Sequence, residues 1–321
     1  MHVVITGGAG FLGGELARRL LDGGAGDDLG VERLTVVDLV APAEDIADDP
    51  RVEVRTGDLT AVVDGLGPAD VVVHLAAVVS SAAEADFDLG MAVNVDATRQ
   101  LLDRCRAWPA PPVFVLASSV AVFGRQAPDA PAITETTMPL PESSYGTEKL
   151  IAEQLVGEYS RRGFVRGRVL RLMTVAVRPG RPNAAASSFV SGIVREPLAG
   201  QPATCPVPPD TPLAIGSPRM TVDGLVAALV CDDERWAGRR ALNLPAVTTT
   251  PAEMVATMDR LAGGEPSRLI TWEPDPAVAA IVASWPGRFD DTAARTLGLS
   301  ADGGIDALIA EHLDRLGPRA H

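Results

Sequence analysis

The segment His2-Val3-Val4-Ile5-Thr6-Gly7-Gly8-Ala9-Gly10-Phe11-Leu12-Gly13 joins a short apolar run to a glycine-rich turn. Beyond it, Leu16, Ala17, Leu20 and Leu21 recur at helical spacing, so the segment reads as strand, tight turn, helix. Gly7, Gly10 and Gly13 follow G-x-x-G-x-x-G. Glycine at these positions permits the turn, lets the backbone approach a pyrophosphate, and lets the helix pack closely on the strand. Phosphates then lie at a positive helix N-terminus. Phe11 and Leu12 join the three glycines as cofactor-binding candidates. A glycine loop alone is also compatible with a plain turn, so the reading depends on the strands and acids further along the chain.

Leu34 to Asp38 is a second apolar run ending in an acid, 25 residues beyond Gly13. A dinucleotide fold places its ribose-binding carboxylate there. A carboxylate accepts hydrogen bonds from the ribose 2′- and 3′-hydroxyls and repels a 2′-phosphate, so Asp38 favours NAD over NADP. Arg33 precedes the strand and is poorly placed to hold a phosphate. Val52 to Arg55 reads as a third strand, and Asp58, followed by Leu59, is placed to meet the adenine amino group. Val71 to Leu75 is the continuous apolar run of a parallel strand buried on both faces, ending in the small pair Ala76-Ala77. Strands alternating with helices predict an α/β fold, a Rossmann-type doubly wound parallel sheet with right-handed crossovers.

Residues 85 to 106 read as a helix carrying Asn94, and Val113 to Ala117 as a fifth strand with Ser118-Ser119 at its carboxyl end. Ligands of open α/β sheets bind at that edge. A polar, proline-rich loop from Gly124 to Pro141 leads to a helix bearing Tyr145 and Lys149, which runs to about Arg162. Residues four apart share a helix face. An ammonium beside a phenol stabilises the phenolate and suits it to act as a base, which the oxidation of an alcohol requires. The same pair is also compatible with an ordinary helix surface.

Gly167 to Leu172 is a sixth strand. The prolines from Pro179 to Pro218 then argue against central strands and suggest an ordered cover, with one helix from Ser187 to Arg195 inside it. Thr221 to Cys231 is helical, Ala241 to Leu244 is the last strand of the main sheet, and helices are expected near 251–262, 275–284 and 303–315. The expected division is 1–177 with 219–245 as an NAD-binding domain, and 178–218 with 246–321 as a smaller C-terminal α/β substrate domain.

The 321 residues are 46% hydrophobic and 22% charged, as in an ordinary globular protein. With 42 acidic against 28 basic residues, the net charge of −14 argues against nonspecific binding to nucleic acid or an anionic membrane. The first strand begins at residue 2 and no apolar run reaches the roughly 18 residues of a membrane span, so a cytoplasmic protein without signal peptide is expected. Cys105, Cys205 and Cys231 are widely spaced, with no C-x-x-C, and no metal site is expected.

Gly7, Gly10, Gly13, Asp38, Asp58, Ser119, Tyr145 and Lys149 stand in the order that makes the chain resemble the extended short-chain dehydrogenase/reductase superfamily, the NAD-dependent epimerase/dehydratase family. Within it the chain is similar to D-erythronate dehydrogenase-like proteins. That likeness is carried by Glu84–Gly90, Ser118–Gly124, Tyr159–Phe164, Val177–Phe189, Arg195–Leu198, Cys205–Asp210 and Ala283–Gly287. The resemblance implies NAD as cofactor and oxidation of a small sugar acid at its C2 hydroxyl to a 2-oxo acid. It implies Tyr145 as base, Lys149 as its cationic partner and Ser119 as donor to the reacting oxygen. Ser118, Ala76, Ala77 and Asn94 are expected to line the cofactor groove. Arg178, Arg181 or Arg219 is expected to hold the substrate carboxylate, because an arginine fork binds it through two parallel bonds; Ser80 and Asn183 are expected to read its hydroxyls. A homodimer through the helices near 85–106 and 143–162 is also implied.

Phe123 stands where many sugar-nucleotide epimerases have tyrosine, and Met173 where proline is expected near the nicotinamide. Two alternatives remain open. One is a nucleoside-diphosphate-sugar epimerase or dehydratase, although Val120-Ala121 after Ser119 supply no acidic pair. The other is a non-catalytic NAD-binding regulator.

Overall fold

The computed structural model describes residues 1–22, 29–127, 129–180 and 185–316. Twelve strands are present among them: β1 (His2–Thr6), β2 (Arg33–Asp38), β3 (Val52–Thr56), β4 (Val71–His74), β5 (Val113–Ser119), β6 (Arg166–Leu172), β7 (Thr174–Val175), β8 (Ala203–Cys205), β9 (Leu213–Gly216), β10 (Leu242–Asn243), β11 (Val247–Thr249) and β12 (Ile270–Trp272). Seven form one parallel sheet in the order β10-β6-β5-β4-β1-β2-β3. The order reverses direction between β1 and β4, the switch point at which doubly wound sheets bind ligands.

Alternation along each strand explains why both faces are covered. Val3 and Ile5 of β1 pack with Leu16, Ala17 and Leu20 of the Phe11–Leu21 helix on one side. Val4, Val72 and Phe114 pack with Leu101, Leu102, Ala152 and Val156 on the other. Successive strand residues point to opposite faces, so a run apolar at every position needs a helix layer on each. Burial of one such Ile or Leu side chain contributes roughly 1.5–3 kcal/mol.

The chain after β6 builds a second apolar core from Val190, Ile193, Val194, Ile215, Met254, Met258 and Ile309. Here the expectation that proline density excludes central strands fails. β9 is the middle strand of a three-stranded sheet, β11-β9-β7, and β8 pairs with β12. Pro212 and Pro218 flank β9 rather than interrupt it, so none of its ladder donors is lost. The single helix expected over 85–106 is also divided. Asp86 is extended and its carboxylate caps Leu89, and Met91–Asp96 forms a π-helical turn before the Ala97–Arg106 helix. No helix among the described residues is long and apolar enough to cross a membrane.

Candidate functional site

A cleft opens at the carboxyl ends of β1, β4, β5 and β6, and its floor is the glycine loop. Gly7 has φ +73°, and a Cβ there would lie 2.6 Å from the Ala76 nitrogen. A Cβ on Gly13 would lie 2.2 Å from the Gly7 carbonyl oxygen. Both positions therefore demand glycine, for conformation and close approach at Gly7 and for close approach at Gly13. No side chain caps the helix that begins at Phe11, so its first N–H groups face the cleft as an anion cradle. Asp38 is fixed beside this loop: one carboxylate oxygen accepts from Ala9 N at 2.9 Å and the other from Leu39 N at 2.7 Å. Each oxygen keeps a lone pair for a ribose hydroxyl. These features fit a dinucleotide without a 2′-phosphate.

Ser119 ends β5, and Tyr145 and Lys149 come from the Ser144–Arg161 helix, whose first turn is capped by the Ser143 hydroxyl accepting from Gly146 N at 3.1 Å. All three line the cleft, together with Ser118, Ser80 and Arg178. Gly146 allows the helix to approach the Val120–Val122 turn that follows β5, because a Cβ there would lie 2.1 Å from the Ala121 carbonyl oxygen. Lys149 is buried, its Nζ donates to the Ala117 carbonyl at 3.0 Å, and it lies 5.7 Å from the Tyr145 ring centroid. Burial pulls the Lys149 ammonium down to about 8, against the charges of Glu148 and Glu153. Burial pushes the Tyr145 phenol up to about 12, opposed by its hydrogen bond with Ser119 and reinforced by the Glu148 charge. The sequence leads to the opposite expectation, a phenol lowered by its cation. In this geometry desolvation outweighs the Ser119 hydrogen bond, and the lysine is engaged by a backbone carbonyl.

Several expected site residues also brace the walls of the cleft. Asn94 is buried behind the cleft: its side chain accepts from Val78 N at 2.9 Å and donates to Val78 O at 3.0 Å and to Glu148 Oε2 at 2.6 Å. It thereby clamps the segment that carries Val79 and Ser80 into the cleft. Ser118 donates to Glu153 at 2.5 Å, and Glu153 receives Arg171 through two bonds of 2.9 and 2.7 Å. Ala77 lines the cleft and Ala76 lies under Gly7. Asp58 is exposed and caps its own short helix, accepting from Thr60 N at 2.8 Å, while Leu59 packs on the core beneath. Arg219 is a correction. It stands apart from the cleft lining, paired with Asp223, Asp302 and Glu311, so its charge is already answered by carboxylates. Arg181 and Asn183 lie outside the described residues.

Comparison with known proteins agrees with this geometry. The model of the NAD dependent epimerase/dehydratase family matches residues 3–214. The chain belongs to that family. NAD is accordingly its cofactor, and the uncapped helix, the glycine cradle and Asp38 are the residues that fit it. The chain is 49% identical to the D-erythronate dehydrogenase of Cupriavidus necator, over 99% of both chains. It is 40% identical to the D-erythronate dehydrogenase of Haemophilus influenzae, over 98% of this chain and 99% of that one. Among solved structures, a nucleoside-diphosphate-sugar epimerase from Agrobacterium tumefaciens superposes with a TM-score of 0.90 at 38% identity, over 99% of this chain and 95% of that one.

For a member of this NAD-dependent family, the unforeseen lining residues lie mostly past β6. Thr174, Val175, Ala185, Ser187 and Trp285 all face the cleft. No local pattern marks them, because they come from short strands and turns. Met173 lines the cleft where proline is expected from the resemblance. Glu148, inside the Tyr145–Lys149 interval, is buried against Gly90, and burial pushes its carboxyl up.

Proposed function

We propose that the protein is an NAD-dependent dehydrogenase that oxidises the C2 hydroxyl of a small sugar acid of the D-erythronate type to the 2-oxo acid. The observation that carries this reading is the convergence of Ser119, Tyr145 and Lys149 with Arg178 in one cleft. Bound NAD supplies the hydride acceptor. Tyr145 takes the proton from the substrate hydroxyl, and Ser119, already hydrogen-bonded to the phenol, donates to the same oxygen and steadies its developing charge. Lys149 supplies the positive charge that favours the phenolate, the form of Tyr145 that takes the proton. Arg178 is half-buried, and its carbonyl accepts from Arg195 at 2.8 Å, which holds its backbone in place. In an acidic chain its guanidinium is the dedicated partner for the substrate carboxylate. Ser80 is the reader of a substrate hydroxyl.

The test is NADH absorbance with NAD and a panel of sugar acids beside nucleoside-diphosphate sugars. Absorbance rising with D-erythronate supports the reading. The likeness to a structure named as a nucleoside-diphosphate-sugar epimerase favours a second one. Conversion of a nucleotide sugar without net NADH, and no reduction of NAD by any acid, would replace the first reading with the second.

A further inference from the structure

Trp285 is the one residue beyond Ser187, among the described residues, that lines the cleft. It follows the Pro276–Ala283 helix, and its N–H bonds back to Val282 O at 3.0 Å. The bracket that carries it is pinned from two sides. Thr248 Oγ1 donates to Gly287 O at 2.8 Å, and Ile133 N donates to Arg288 O at 3.0 Å. Gly287 is pressed so closely on Pro212 that a Cβ would come within 2.6 Å of its ring. The indole packs against the second core, which holds Ala176, Val177 and Ala186. Those residues flank Val175, Arg178 and Ala185, which line the same cleft as Trp285. Its Nε1–H is shielded from water and meets no acceptor among the described residues.

A large, rigid ring on a pinned bracket cannot fold aside for a longer ligand. Past β6, Thr174, Ala185 and Ser187 are small linings, while Met173, Val175 and Arg178 are larger. We infer that the Trp285 indole is the end wall of the substrate pocket and sets the length of acid that fits. This rests on the sugar-acid reading above. An acid with its carboxylate on Arg178 and its C2 hydroxyl at Tyr145 has the rest of its chain to place, and the indole limits that space.

The experiment compares wild type, Trp285→Ala and Trp285→Phe with D-erythronate and with the longer D-gluconate, reading kcat/KM by NADH absorbance and NAD affinity separately. In Trp285→Ala the preference for the shorter acid should fall by about 10-fold or more, the scale on which pocket size discriminates, with NAD affinity unchanged. Trp285→Phe, which keeps a flat ring, should retain most of the preference. An unchanged ratio in a folded, active Trp285→Ala enzyme overturns the inference. Should that variant fail to fold, Trp285→Leu reads the same ratio with the core still filled. A wild type inert toward every sugar acid removes the reading beneath the inference, and the inference with it.

Discussion

At Tyr145 two influences oppose each other: burial holds the phenol protonated, up to about 12, while Ser119 favours the anion. A base whose pKa is raised is scarce in its ionised form at neutrality and becomes more available as pH rises. The kcat/KM for oxidation should therefore climb from neutral into alkaline solution, and a flat profile over that range would remove Tyr145 as the base. Tyr145→Phe should lower kcat by roughly 10²- to 10⁴-fold and leave NAD affinity in place, read by NADH absorbance and by cofactor titration. His74 gives a second prediction at this scale. It is buried between Thr6 Oγ1 at 2.6 Å and Thr98 Oγ1 at 2.9 Å. Thr98 donates to Asn94 O at 2.8 Å, so it accepts from Nε2–H, and Thr6 donates to Nδ1. Both ring nitrogens are thus satisfied in the neutral form, and burial, with the Lys149 charge, pulls the imidazole from 6.5 to about 3. Above 6.5 folded and unfolded states are both neutral there. Between 6.5 and 3 only the unfolded state gains the proton, so stability falls with pH by up to about 1.4 kcal/mol per unit. Urea unfolding at pH 7, 6 and 5 should show that extra slope in wild type and lose it in His74→Gln.

The elements differ in how much they rest on local chemistry. The Pro251–Ala262 helix starts with a full capping box, Thr250 accepting from Glu253 N at 3.2 Å while Glu253 accepts from Thr250 N at 3.0 Å. Thr250→Ala should cost about 1 kcal/mol, measured by urea unfolding, with kcat unchanged because the cap lies outside the cleft. The same Thr-Pro-x-Glu pattern is readable in the sequence, as are β1 to β6: β1, β2, β4 and β5 are largely apolar runs, while β3 and β6 interleave charged with apolar residues. β7 and β10, two residues each, offer no periodicity, yet β10 is placed by the apolar run in which Leu242 sits. β9 is hidden by its flanking prolines. Asn94 is legible as a polar residue on a helical face but not as a clamp, because the π-helical turn rotates it towards Val78 and Glu148.

Across the whole molecule the cleft draws on residues from Gly7 to Trp285. The cofactor half is legible because the glycines, Asp38, Ser119, Tyr145 and Lys149 each carry a chemical signature at a set spacing. The substrate half is less so: an arginine that lines a cleft and one that meets Asp223, Asp302 and Glu311 outside it look alike in sequence, and only packing separates Arg178 from Arg219. We also propose a homodimer through the segment near 85–106 and the Ser144–Arg161 helix, where Phe87 and Leu89 stand 60% and 45% exposed. Light scattering should give a particle of two chains, and Phe87→Glu should shift it towards one; a wild type of one chain would end that proposal. The sheet order has a consequence for synthesis. β6 ends at Leu172, but its neighbour β10 begins only at Leu242. A chain emerging from the ribosome therefore presents the β6 edge to solvent or to chaperones until Leu242 and Asn243 clear the exit tunnel, and a stop codon before them leaves that edge unpaired for good.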